Sequence, residues 1–295
     1  MSHTYADIAF GLLHHKDYGG NGEAIVLVHG LGGSAVTWDA LGPHIARFGR
    51  AMAVDLPGFG LSPPGLDWSL ETHSEALADY IDHVGPPATV VANSMGALIS
   101  ERVAADHPNL VSRLVLISPA TPPRFPDPRL DWPTAWRLAL QATPGVGRLI
   151  SKRFISAYSP REMVRVSLQM ITHHAGNVPL EVQEALTALA ARRRHLPWAA
   201  DAVPSTATQI AKLFARPWKF VEMIRDIVAP TLVVQGTSDH IVSPTAVEWM
   251  CSLRPDWTLV QLENTGHTPQ LDAPVRLVSV IGPWLGGAGT REFSA

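Results

Sequence analysis

A single cysteine in 295 residues rules out an internal disulfide and a cysteine-built metal site. Cys251 lies in the apolar, helix-like stretch Ala246-Val247-Glu248-Trp249-Met250-Cys251 and reads as a buried filler. Charge is sparse: charged residues make up 17% of the chain and the formal net charge is −3, so there is no electrostatic case for a nucleic-acid partner. No apolar run approaches the ~20 residues that a membrane helix needs. The opening Met1-Ser2-His3-Thr4-Tyr5-Ala6-Asp7 has no basic start and no long apolar stretch, so it does not read as a secretory signal. The expectation is a soluble, cytoplasmic protein without a membrane span. No H-E-x-x-H or C-x-x-C spacing occurs, nor any G-x-x-x-x-G-K-[ST] or G-x-G-x-x-G phosphate loop, so neither a metal nor a cofactor is expected.

Hydrophobic residues are plentiful, at 46%, and supply a sizeable core. The length suits one large α/β domain with an insertion. Ile8 to Leu13, followed by Asp17-Tyr18-Gly19-Gly20, suggests a hairpin with a glycine-rich end. Continuous apolar runs then recur at 24–28, 51–54, 89–91, 114–117, 231–234 and 257–262. Between them lie segments of helical periodicity, such as 72–84 and 98–107. Unalternating strands separated by helices predict a mostly parallel, doubly wound sheet of about eight strands, covered on both faces. Such sheets bind ligands at the carboxyl ends of their strands, where Gly30-Leu31, Asp55, Ser94 and Asp239 fall.

The rhythm breaks between 121 and 227. This stretch has no strand-like run, opens with Pro122-Pro123-Arg124-Phe125-Pro126-Asp127-Pro128, and shows helical periodicity at 132–142, 161–174, 180–194 and 206–214. It reads as a helical cap over the strand ends, with 1–120 and 228–285 as the core and 286–295 as a flexible tail. Of Trp132, Trp136, Trp198 and Trp218, most should pack the cap onto the core and one or two should face a pocket. That aromatic content favours an apolar substrate group. Arg192-Arg193-Arg194 reads as a solvated helix face, with recognition of an anionic substrate group as its functional alternative.

The chemistry centres on Ala92-Asn93-Ser94-Met95-Gly96, directly after a β-branched run and before a helical pattern. A serine there, with glycine two residues on, is a nucleophile elbow: the sharp turn lifts the hydroxyl clear of the sheet and aims the first helix amides at the same point. The usual first glycine is replaced by Ala92, the smallest side chain that still lets the helix pack close. Acyl transfer also needs a base, an acid to orient it, and amide donors for the oxyanion. Gly236-Thr237-Ser238-Asp239 follows the next-to-last run, and Gly266-His267 follows the last. Asp226 and Asp201 are alternative acids. Of the 13 histidines, His14-His15, His173-His174 and His240 read as incidental.

With His29-Gly30 and Asp55-Leu56-Pro57-Gly58-Phe59-Gly60 added, these landmarks run nearly end to end, and the chain resembles the α/β-hydrolase family, in particular its serine hydrolases with a helical cap. The resemblance implies Ser94 as nucleophile, Asp239 as acid, His267 as base, and the backbone N–H groups of Leu31 and Met95 as oxyanion hole. Gly30, Asn93 and Gly96 would support the site. His29 would brace the oxyanion loop by hydrogen bonds, Asp55 its Pro-Gly turn, and Asp272, where relatives often have glutamate, would cap the final helix. The implied activity is cofactor-free hydrolysis of a small to medium carboxylic ester. Related chains that open epoxides or remove halides carry aspartate at the elbow. Carbon–carbon bond hydrolases of aromatic degradation share Asn-Ser-Met-Gly, but typically place tryptophan after the histidine, where this chain has Thr268. A haloperoxidase-like perhydrolase and a nearly inert ligand receptor are the other readings.

Overall fold

The computed structural model describes residues 2–286; 287–295, most of the expected tail, lie outside the described residues. Strands β1 (Ser2–Ile8) and β2 (Gly11–Gly19) form the expected hairpin, but its turn is Ala9-Phe10 rather than the glycine-rich end. Gly11, at φ 133°, supplies the tight reversal. The strand runs on through His15-Lys16-Asp17 because it gains a second partner there, pairing His15 with Val54 of the next strand over. Then come β3 (Ala24–Val28), α1 (Gly42–Ile45), β4 (Arg50–Val54), α2 (Leu70–Val84), β5 (Ala88–Asn93), α3 (Met95–Asp106) and β6 (Val111–Ile117). Six helices follow: α4 (Trp132–Ala142), α5 (Val146–Ala157), α6 (Pro160–Ile171), α7 (Leu180–Arg193), α8 (Ala202–Phe214) and α9 (Pro217–Arg225). The chain closes with β7 (Thr231–Gly236), α10 (Pro244–Ser252), β8 (Thr258–Leu262), α11 (Pro269–Asp272) and α12 (Pro274–Leu285).

The eight strands form one sheet in the order β1-β2-β4-β3-β5-β6-β7-β8. Only the pairs involving β1 and β2 are antiparallel. Alternate residues of each central strand enter opposite cores: Val90 and Ala92 pack with α2 and α3 on one face, Val91 with α1 and α12 on the other. Both sides are therefore dry, which is why the strands read as unbroken apolar runs. The register pairs Val28 with Ala92, Asn93 with Ile117 and Gly236 with Leu262, so the carboxyl ends finish nearly level. The chain order reverses between β3 and β5, opening a crevice where the Gly30 and Ser94 loops leave the sheet.

Between β6 and β7 the sequence signalled four helices and the structure has six. Helices α5 and α9 are the two that the sequence did not signal; α5 buries only Gly147, with Phe154 and Ile155 half-buried. The 161–174 helix stops at Ile171; Thr172 is extended, for a reason that belongs to the site. Ala202, Phe220 and Ile224 share a core with α3, so α8 and α9 rest directly on the sheet layer. The tryptophan expectation fails in its larger part: Trp132, Trp136 and Trp218 are exposed rather than packed onto the core, while Trp198 is half-buried and lines a cavity with Tyr5, Leu12 and Arg192. Among the described residues, no helix is long and apolar enough to cross a membrane. Cys251 is half-buried, and burial pushes its thiol up to about 12.

Helix α3 is enclosed on nearly every side, yet carries Glu101 with both carboxyl oxygens buried and unpartnered. Burial raises its pKa well above the usual carboxylate range. A group that holds its proton in the folded state and releases it on unfolding contributes stability below the unfolded pKa, and that stability is lost as pH rises through the folded one. Glu101→Met should therefore raise the melting temperature, and raise it more at pH 8 than at pH 5. Thermal unfolding at the two pH values checks this; an equal gain at both would mean the carboxyl is not the strained group.

Candidate active site

Ser94 occupies the β5–α3 turn at φ 54°, ψ −118°, a conformation that L-residues rarely adopt. Its N–H donates to Ile117 O (3.0 Å), and its carbonyl accepts from Leu98 N (3.1 Å) and Ala120 N (3.2 Å), so the end of β6 holds the turn in place. A Cβ on Gly96 would overlap the carbonyl oxygens of His29 and Val28, which is why glycine is required there. Ala92 is different: its methyl is accommodated in the core formed with α3. A Cβ on Gly30 would lie 3.1 Å from both Ser94 Cβ and Asn93 Oδ1, so the loop after β3 presses directly on the elbow.

Among the described residues, the backbone N–H groups of Leu31 and Met95 donate to no protein acceptor. They flank Ser94 from two sides, and Met95 opens α3, where the helix dipole favours negative charge. The Leu31 loop is braced by His29. Leu56 N donates to His29 Nε2 (3.1 Å), which requires the proton on Nδ1, and Nδ1 donates to Gly30 O (2.7 Å). Burial pulls the His29 pKa down to about 4, so the ring is neutral near pH 7 and acts as a strut.

Asp239, just past β7, has a fully buried carboxylate that accepts four hydrogen bonds. Oδ1 takes Ile241 N (2.8 Å) and Val242 N (3.0 Å); Oδ2 takes Gln235 Nε2 (3.1 Å) and His267 Nδ1 (2.8 Å). Gln235 is marked in the sequence as a polar residue near the end of an apolar strand. Asn93 Nδ2 donates to Ile117 O (3.0 Å) and His267 O (3.1 Å), joining the elbow to the histidine loop. Ser94 Oγ and His267 Nε2 have no hydrogen-bond partner among the described residues. Ser94 and His267 thus lie in one buried locus, joined through Asn93, without being hydrogen-bonded to each other. Of the alternative acids, Asp201 pairs with Arg148 (2.6 Å), and Asp226 is an exposed residue ending α9.

Three expectations need correction. Asp272 does not cap the final helix, whose preceding residue is Ala273. Its Oδ2 accepts from Gly266 N (2.7 Å) and His173 N (2.8 Å), and its Oδ1 from His174 N (3.2 Å). Thr268 N and Oγ1 both donate to Ile171 O (3.1 Å each). The histidine loop is thus clamped to the chain leaving α6, which explains why Thr172 is extended. Second, Arg193 is not solvated: it lies over the Phe59 ring (5.9 Å), and Nη2 donates to Gly58 O (3.4 Å). Third, Asp55 does more than brace its turn. It accepts from His14 Nδ1 (2.6 Å), Ala35 N (2.6 Å) and Leu61 N (2.7 Å), tying β2 and the 3-10 turn Ala35–Trp38 to the loop after β4. Burial works to raise its pKa, but the hydrogen bonds from His14 and Ala35, with the neighbouring imidazoles, outweigh it and hold the carboxyl below its usual range. Among the described residues, no group of three or more His, Cys, Asp or Glu could hold a metal ion.

Comparison with known proteins agrees with this architecture. The chain is 29% identical over 258 residues to the pimeloyl-[acyl-carrier protein] methyl ester esterase of Aromatoleum aromaticum, covering 86% of this chain and 94% of that protein. Among solved structures, Cfl2 from Burkholderia cenocepacia superposes with a TM-score of 0.80 at 20% identity, covering 96% of this chain and 95% of that one. The meta-cleavage product hydrolase of Pseudomonas fluorescens, in a mutant form complexed with acetates, gives 0.75 at 19%, covering 97% and 98%. At these identities the two structures speak for the fold alone. A family model described as the alpha/beta hydrolase fold matches residues 23–274, and the chain belongs to that family.

Proposed function

We propose that this chain is a serine hydrolase cleaving a small to medium carboxylic ester through an acyl-enzyme on Ser94. One observation carries the reading: the buried Asp239–His267 pair lies beside a strained serine flanked by two undonated amides. Ser94 Oγ attacks the carbonyl carbon while His267 Nε2 takes its proton. The developing oxyanion is received by the N–H groups of Leu31 and Met95. Asp239 holds the proton on His267 Nδ1, keeping Nε2 available as base and stabilising the imidazolium that forms. Collapse of the intermediate returns the proton to the departing alcohol. Water, deprotonated by His267, then attacks the acyl-enzyme and releases the acid. No step needs a metal or cofactor. In this reading 1–120 and 228–285 form the catalytic core and 121–227 the cap. The pimeloyl-ester relative supports an ester substrate.

A carbon–carbon bond hydrolase would use the same residues. The Asn93-Ser94-Met95-Gly96 elbow favours it, but Thr268, engaged with Ile171 O, stands where tryptophan is typical. p-Nitrophenyl esters of graded acyl length, run beside a vinylogous diketone, separate the readings. Multiple turnovers on esters, with a preferred length, are the expected result. Cleavage of the diketone alone would replace the proposal, as would ligand-induced stabilisation with single-turnover labelling only, which marks a receptor.

A further inference from the structure

We infer that helices α4 and α5 form a docking surface for an anionic lipid bilayer. The span Trp132 to Ala157 contains four lysine and arginine residues and no acid, for a net charge of +4; the rest of the chain carries −7. Arg137 faces Asp131 and Arg148 pairs with Asp201 (2.6 Å), while Lys152 and Arg153 are exposed with no carboxylate partner among the described residues. A cationic face on an otherwise acidic protein is complementary to an anionic surface.

The same helices expose large apolar side chains. Trp136 (67% exposed) lies one turn beyond Trp132 (62%), and Phe125 stacks on Trp132 at 5.8 Å between ring centroids. On α5, Leu149 and Ile150 are exposed between the cations Arg148 and Lys152. Helices α4 and α5 both pack on α8, so they form an outermost layer. Tryptophan and aliphatic side chains interleaved with lysine and arginine are the composition of helices that lie in a membrane interface. More than half of each tryptophan protrudes, as a ridge rather than a groove. A bilayer accepts a convex apolar ridge of any shape, whereas a protein partner would need a matching cleft, so the lipid surface is the better fit.

Flotation of the full chain with extruded vesicles tests this, using mixed phosphatidylglycerol–phosphatidylcholine against phosphatidylcholine alone. The wild type should float with the anionic vesicles, shift its tryptophan emission to the blue, and detach as salt rises. Lys152→Glu/Arg153→Glu and Trp132→Ala/Trp136→Ala should each weaken binding at least ~10-fold. Both should keep the wild-type melting temperature and the wild-type turnover of a water-soluble p-nitrophenyl ester. Failure to float, equal binding to neutral vesicles, or unchanged binding by both double variants would overturn the proposal. Binding to polyglutamate without binding to vesicles would also overturn it, and would reassign the surface to an acidic protein.

Discussion

Ser94→Ala is expected to lower ester turnover by about 10⁴–10⁶-fold while leaving the melting temperature near that of the wild type. The two halves of this result come from one geometry. The Ser94 hydroxyl makes no hydrogen bond within the described protein, so removing it breaks no internal contact. The backbone turn is held instead by Ile117 O, Leu98 N and Ala120 N, none of which touches the side chain. Alanine keeps the Cβ and therefore the same strain at φ 54°. Residual turnover would come from the oxyanion amides and binding alone. Stopped-flow or steady-state release of p-nitrophenol measures the loss. Turnover within ~10-fold of the wild type would remove Ser94 from the nucleophile role. Ser94→Gly makes a useful companion: it should be equally inactive, yet more stable by ~1 kcal/mol or more, because glycine relieves the strain.

Asp239→Asn should lower kcat by about 10³–10⁴-fold with the fold intact. The side-chain position facing Ile241 N and Val242 N must remain an acceptor, since both are short backbone bonds. The asparagine amide nitrogen is then forced toward His267 Nδ1. A donor there drives the imidazole into the other tautomer, with its proton on Nε2, where it cannot accept the serine proton. Gln235 cannot turn its Oε1 to the new amide without setting it against Gly236 O and Val242 O, which its Nε2 now serves (3.3 and 3.2 Å), so two N–H donors are left facing each other. A modest loss of stability, on the order of 1–3 kcal/mol, should therefore accompany the loss of rate. Because the base is lost through its tautomer, raising the pH should restore only part of the rate. A pH–rate profile that coincides with the wild type would place the acid elsewhere.

Much of this was legible in the sequence because the physics leaves few choices. Strands buried on both faces must be continuously apolar, and a helix starting against the backbone of a neighbouring strand must begin with a glycine such as Gly96. Ser94, Asp239 and His267 could be placed at strand ends for the same reason. What escaped depends on which way a side chain faces or which amide it reaches. Periodicity locates α4 but does not say that its tryptophans point outward. Nothing local distinguishes an aspartate that caps its own helix from Asp272, which accepts hydrogen bonds from residues 98 and 99 positions earlier in the chain. A run of three arginines likewise gives no sign that the middle one, Arg193, turns inward onto Phe59.

The clamp at Asp272 also bears on how this protein could be diversified. Most of what it grips on the other side of the junction is main chain: the amides of His173 and His174, and the Ile171 carbonyl held by Thr268, with the Asn177 side chain, which donates to Asp272 O (3.3 Å), as the exception. Gly266 fits against the bare backbone of Thr172 and His173. At 171–174 such a seam recognises the path of the chain rather than the side chains it carries, while Asn177 and the apolar seat of Leu271 on Leu168, Val178 and Val182 do depend on side chains. A library that randomised the His173 and His174 side chains and kept Asn177 and that apolar seat would keep the seat of the histidine loop. Specificity could then drift on one side of the seam while the chemistry stayed in register on the other.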